Sequence, residues 1–190
     1  ATGTDAIGIG DAAVAGDDSG DGAVVAIGAS SSAIGVSSVA IGRYTDAGGA
    51  NSIAIGGGES DGDSADATGA QSIAIGNDAN ATAARTLAIG FSANASVIGA
   101  VAIGGVGPSA NASYAIAIGN YADATGANCI AIGGHAIDAD SADCTAANAI
   151  AIGVKTLASG VDSVAIGHNA TATDVGEFAY ASGQFAAAGD

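Results

Sequence analysis

The sequence predicts an all-β fold, a parallel β-roll or solenoid of about a dozen coils. Three observations carry this. One short phrase, a Val, Ile or Leu followed by Ala-Ile-Gly, occurs ten times, closing on Gly28, Gly42, Gly56, Gly76, Gly90, Gly104, Gly119, Gly133, Gly153 and Gly167. The intervals between those glycines are 14, 14, 20, 14, 14, 15, 14, 20 and 14 residues. A fixed short period that fills a chain is the pattern of stacked coils. A degenerate copy, Ala6-Ile7-Gly8, lies 20 residues before Gly28 and makes a third long coil. The composition agrees: the 190 residues include 32 Gly, no Met and no Trp. Large side chains contribute roughly 1.5–3 kcal/mol each on burial. With few of them, the chain is expected to build a thin core between closely spaced backbones rather than a thick layered domain.

The coil from Gly119 to Gly133 shows the elements in order. Ala122-x-Ala124-x-Gly126 alternates and reads as one short strand, and Cys129-Ile130-Ala131-Ile132 alternates and reads as another. Gly133 then turns the chain. The next coil repeats this with Ala142-x-Cys144-x-Ala146, after an insertion. Two strands and two turns per 14 residues make a flattened rung, and rungs stacked in parallel at about 4.8 Å give a roll roughly 55–60 Å long. The two large residues of each phrase, such as Ile130 and Ile132, are expected to point inward, with the Ala-x-Ala-x-Gly segment packed against them. The central residues of the phrase would then form an outward stripe: Ala26, Ala40, Ala54, Ala74, Ala88, Ala102, Ala117, Ala131, Ala151 and Ala165. Solvated strand faces normally carry polar residues. An unbroken apolar Ala stripe therefore reads as an oligomer interface, with three rolls around an axis burying it.

Residues 1–190 read as one domain, because no shift in composition marks a boundary. Residues 168–190 diverge: Glu177-Phe178-Ala179-Tyr180-Ala181 keeps the phase but replaces the aliphatics with aromatics, as expected of a capping rung. The opening ATGTDAIGIG carries no signal-peptide pattern and reads as a processed chain or a fragment. No run approaches the roughly 18 apolar residues of a spanning helix, and there are no heptads for a coiled-coil stalk.

The formal net charge is −16, with Arg43, Arg85 and Lys155 the only basic residues besides two histidines. Phosphate neutralisation needs clustered cations, so nucleic acid is excluded as a partner and an anionic membrane surface is disfavoured. Cys129 and Cys144 stand at different phases of the coil, on opposite sides of the wall, so stacking does not pair them. They are expected to be two small buried or edge residues rather than a disulfide.

Both internal long coils contain Asp-x-Asp-Ser-Ala-Asp: Asp61, Asp63 and Asp66 in one, and Asp138, Asp140 and Asp143 in the other. Clustered carboxylates on a loop are the oxygen donors that Ca²⁺ prefers, although the length and closing Glu of an EF-hand loop are missing. A solvated acidic bulge is the plainer reading, and no other cofactor is expected. The first long coil carries Asp17, Asp18 and Asp21 in another spacing. His135 and His168 follow repeat glycines without a partner pattern. No Ser/His/Asp arrangement is present, and a narrow roll lacks the concave pocket of an enzyme. The chain is therefore expected to be non-catalytic.

Asn51-Ser52-Ile53-Ala54-Ile55-Gly56, Gln71-Ser72-Ile73-Ala74-Ile75-Gly76 and Asp162-Ser163-Val164-Ala165-Ile166-Gly167 resemble the head repeat of trimeric autotransporter adhesins, the YadA-like head. The resemblance spans nearly the whole chain. It implies a left-handed, single-stranded parallel β-roll, a homotrimer, and display outside the cell for adhesion to a protein or glycan receptor. The same repeat occurs in bacteriophage tail fibres, so a virion fibre segment is the alternative, alongside a structural filament built by end-to-end stacking of open rungs. Ice binding is disfavoured because outward Thr rows are absent.

Overall fold

The computed structural model describes residues 5–16 and 22–182 and is a parallel β-solenoid. The phrase strands form a long wall, a twelve-stranded sheet running in sequence order from Ile7–Ile9 to Phe178–Ser182. Each strand pairs in parallel with the phrase strand of the coil before and the coil after, Ala on Ala: Ala102 lies beside Ala117, and Ala117 beside Ala131. At the spacing of hydrogen-bonded strands the wall is about 50 Å long. The second strand of each coil builds the facing wall, seven-stranded over one part and three-stranded over the other. The two parts are joined by bridges from Asp46 to Asp66 and from Asp66 to Asn80.

The coil ending at Gly133 explains the composition. Its inward residues are Ala122, Ala124, Gly126, Cys129 and Ala131, all buried. Other coils repeat the same five positions. Among the described residues the buried hydrophobics are alanines apart from Val24, Cys129 and Cys144, with Pro108 also buried. A lumen enclosed by 14 residues has room for little else.

This reverses the expected orientation of the phrase. Ala26, Ala40, Ala54, Ala74, Ala88, Ala102, Ala117, Ala131, Ala151 and Ala165 each have zero exposure and lie inside, not on an outward stripe. The flanking Val, Ile and Leu residues face out and are half-buried by their neighbours above and below. Alternation places the two sets on opposite faces. Lumen width then decides between them, because two Ile per coil would not fit between walls that already carry Ala and Ser from the other strand.

Corners are closed by positive backbone angles and by hydroxyls. Asn51, Asn128, Asn148 and Asp162 each hold φ near +57° five residues before a repeat Gly, a conformation Asn and Asp tolerate better than most residues. Their side chains stack into a ladder. Asn128 Nδ2 donates to Asn148 Oδ1 at 3.1 Å, and Asn148 Nδ2 donates to Asp162 Oδ1 at 2.9 Å. Buried Ser72, Thr86 and Thr45 each donate to the carbonyl three residues back, at 2.6, 2.7 and 2.9 Å. At the repeat glycines a side chain is excluded outright. Gly76 has φ +134°, and a Cβ there would collide with the carbonyl of Gly90 in the next coil.

Irregular intervals are absorbed locally. The 15-residue interval is a bulge: Leu87–Phe91 and Val101–Val106 pair with a register shift between Ile89 and Phe91. The internal 20-residue intervals leave the stack as single 3₁₀ turns, Asp61–Asp63 and Asp138–Asp140, and then rejoin it. Asp17, Asp18 and Asp21 lie outside the described residues, as do residues 183–190 of the terminal stretch. Within that stretch Phe178 pairs with Val164 and Tyr180 with Ile166, so the aromatics take the outward aliphatic positions.

Candidate interaction surface

Two outward surfaces follow from this coil. The first is the face of the long wall. Each coil contributes two large residues to it, for example Val101 and Ile103, Ile116 and Ile118, Ile130 and Ile132. Because the register is unbroken, these make two parallel aliphatic ladders along the roll. Exposure reaches 50% and 58% at Ile7 and Ile9, and 67% and 63% at Phe178 and Tyr180. A continuous apolar face on a chain of net charge −16 is not explained by solvation, since soluble monomers rarely expose large contiguous apolar patches. The residues were visible in the sequence as the phrase itself; only their direction was not.

The facing wall and the 3₁₀ turns are polar and acidic. Ten residues before a repeat Gly, the outward column reads Ser32, Asp46, Asp66, Asn80, Asn94, Ser109, Asp123 and Asp143. Asp46 stands beside Asp66, and Asp123 beside Asp143. Partial burial pushes Asp66 up to about 6, and the charges of Asp46, Asp61 and Asp78 add to it. Asp123 is likewise pushed up to about 6 by burial, then by Asp143 and Asp138, against a lowering hydrogen bond from Ser109. Burial also raises Asp46 and Asp143.

A pH dependence follows. Unfolded, these carboxyls titrate near 3.8; folded, Asp66 and Asp123 titrate near 6. Between those values the folded state binds more protons, so stability rises as pH falls from 7 toward 4 and is lost as pH climbs through 6. Both groups are half-exposed, so solvent screening keeps the effect modest. The melting temperature is expected to be higher at pH 5 than at pH 7.5 by a few degrees. Asp66→Asn should raise it at pH 7.5 and shrink the difference, as Asn80 already occupies the adjacent register position. A melting temperature that falls on acidification to pH 5 would contradict this.

The six insert aspartates are spread out rather than gathered. Asp63 accepts from Ser60 Oγ at 2.8 Å. Asp140 holds Lys155 Nζ at 3.2 Å and lies 3.7 Å from His135 Nδ1. Asp66 and Asp143 belong to the wall column, while Asp61 and Asp138 sit in the turns. Among the described residues no group of three or more His, Cys, Asp or Glu could hold a metal ion. Beside the second turn lies a shallow open cleft of about 240 Å³, lined by Ser141, Asp143, Lys155 and Leu157 among others. It is smaller than the usual range for small-molecule sites, and the arrangement suits broad surface contact better than enclosure of a ligand. No described helix is long and apolar enough to cross a membrane.

The chain was compared with known families and proteins. A family model described as the YadA head domain repeat matches residues 25–45, 33–58, 67–93, 81–105, 110–136, 145–170 and 158–176, which together cover well over half of the chain. No curated protein matches it.

Proposed function

Since the chain belongs to the YadA head domain family, we propose that it is a non-catalytic adhesive head displayed outside the cell as a homotrimer, with the aliphatic ladders of three copies meeting around the axis. YadA-family head domains form trimers and act as surface-exposed adhesin modules, which supports this reading. The observation that carries it is the unbroken outward Val/Ile/Leu face along the long wall. Burying that face leaves the acidic column and the 3₁₀ turns pointing outward, where a protein or glycan would meet them. Three copies of each lateral surface make the contact multivalent, so weak individual contacts sum to useful avidity.

The test has two parts. Light scattering on the purified chain should give three times 17.4 kDa. The trimer should then bind at least one member of an array of extracellular proteins and glycans, and lose that binding when reduced to single rolls. A chain that stays monomeric at micromolar concentration would overturn the assembly, and a trimer that binds nothing on the array would overturn the adhesive role. Very large polymers would instead favour the filament.

A further inference from the structure

Cys129 and Cys144 both lie inside the lumen with zero exposure, not on opposite sides of a wall. Cys129 occupies the position four before a repeat Gly, where other coils carry Ser52, Ser72, Ala100, Ala115 and Ala149. Cys144 occupies the position nine before the next one, where other coils carry Ala67, Ala110, Ala124 and Ala158. These two positions belong to opposite strands of the coil and face each other across the lumen. The cysteines sit in consecutive coils. Cys129 Sγ donates to the Cys144 carbonyl at 3.0 Å, and Cys144 Sγ donates to the Ala149 carbonyl at 3.1 Å. Both are free thiols in this structure.

We propose that Cys129 and Cys144 form an intramolecular disulfide inside the roll, a covalent staple between consecutive coils. The 15-residue separation encloses the whole second insert, including the 3₁₀ turn Asp138–Asp140. That is where the chain leaves the stack and regular wall contacts are interrupted. The first internal long coil has the same kind of insert, with Ser52 and Ala67 at the two matching positions, and so has no staple. Closing the bond releases two protons and two electrons from the thiols. A small-molecule disulfide such as oxidised glutathione accepts them and leaves as two thiols, through a mixed disulfide that the second cysteine resolves. The lumen has no room for that adduct, so exchange takes place while the coil is open, during folding or transient unzipping. A cross-link of this loop length restricts the unfolded chain enough to raise the melting temperature by about 5–10 °C.

The experiment is refolding of the full chain with and without oxidised glutathione, followed by intact mass, thiol titration in denaturant and thermal melting. The expected product is monomeric on non-reducing gels, two hydrogens lighter, without titratable thiols, and melts higher until a reductant is added. Cys129→Ala and Cys144→Ala place in each position a residue that other coils already carry there, so both should fold. Each should abolish the redox-dependent shift and melt close to the reduced parent. Oxidant added to the folded protein should act far more slowly than oxidant present during refolding. Two titratable thiols after oxidative refolding, a stable glutathione adduct, or cross-linking between chains would overturn the proposal.

Discussion

Ala117→Leu is expected to destabilise the roll by about 3 kcal/mol or more, a loss of roughly 10 °C in melting temperature. Ala117 has zero exposure and lies in register between Ala102 and Ala131. The opposite wall brings Ala110, Ala115, Ala124 and Cys129 into the same lumen, all without exposure. Three extra heavy atoms have no cavity to enter. The walls must separate, and parallel strand pairing passes that separation to the coils on both sides. In a solenoid each coil is stabilised by its neighbours, so a wedge near the middle uncouples both halves. The control is Ile116→Leu, one residue away but outward, which should change the melting temperature by little more than a degree. Circular dichroism melts of the two variants decide the matter. If Ile116→Leu proved the damaging change and Ala117→Leu the harmless one, the orientation of the long wall would be wrong.

Ile116→Lys combined with Ile130→Lys is expected to convert the trimer into folded monomers. Both residues lie on one aliphatic ladder, in adjacent strands of the long wall. In a trimer closed on that ladder each substitution places three ammonium groups around the axis, and two successive layers place six. Like charges brought together at an interface cost several kcal/mol, and desolvating them adds to it. The isolated roll loses nothing comparable, since these side chains already face outward and a Lys there reaches water. Sedimentation should therefore show a shift from three chains to one while the β-sheet circular dichroism signal is kept. A double variant that remains trimeric would place the interface elsewhere on the roll.

Much of the fold was legible from particular residues. The ten glycines from Gly28 to Gly167 set the coil length, and their positive φ angles are the corners the pattern demanded. The 20-residue intervals marked the two described inserts, which proved to be single 3₁₀ turns. Glu177-Phe178-Ala179-Tyr180-Ala181 kept its phase in the last described strand. The interaction surface was half legible. Ile130 and Ile132 were seen to share a face opposite Ala131, yet the assignment of that face to the inside was reversed. Asp46 beside Asp66, and Asp123 beside Asp143, could have been found by aligning the column ten before each Gly. The same alignment, read across the coil rather than along the wall, brings Cys129 and Cys144 together.

The sequence by itself determined period, corner positions, the alternation of large and small residues, and the family pattern, because each of these depends on local spacing along one chain. Tertiary structure alone decided which side of the alternation is the inside. That choice depends on the distance between two walls built from residues far apart in the coil. Fourteen residues enclose a lumen that Ala, Ser and Gly fill, so the large side chains are turned out onto a surface that one roll cannot cover by itself.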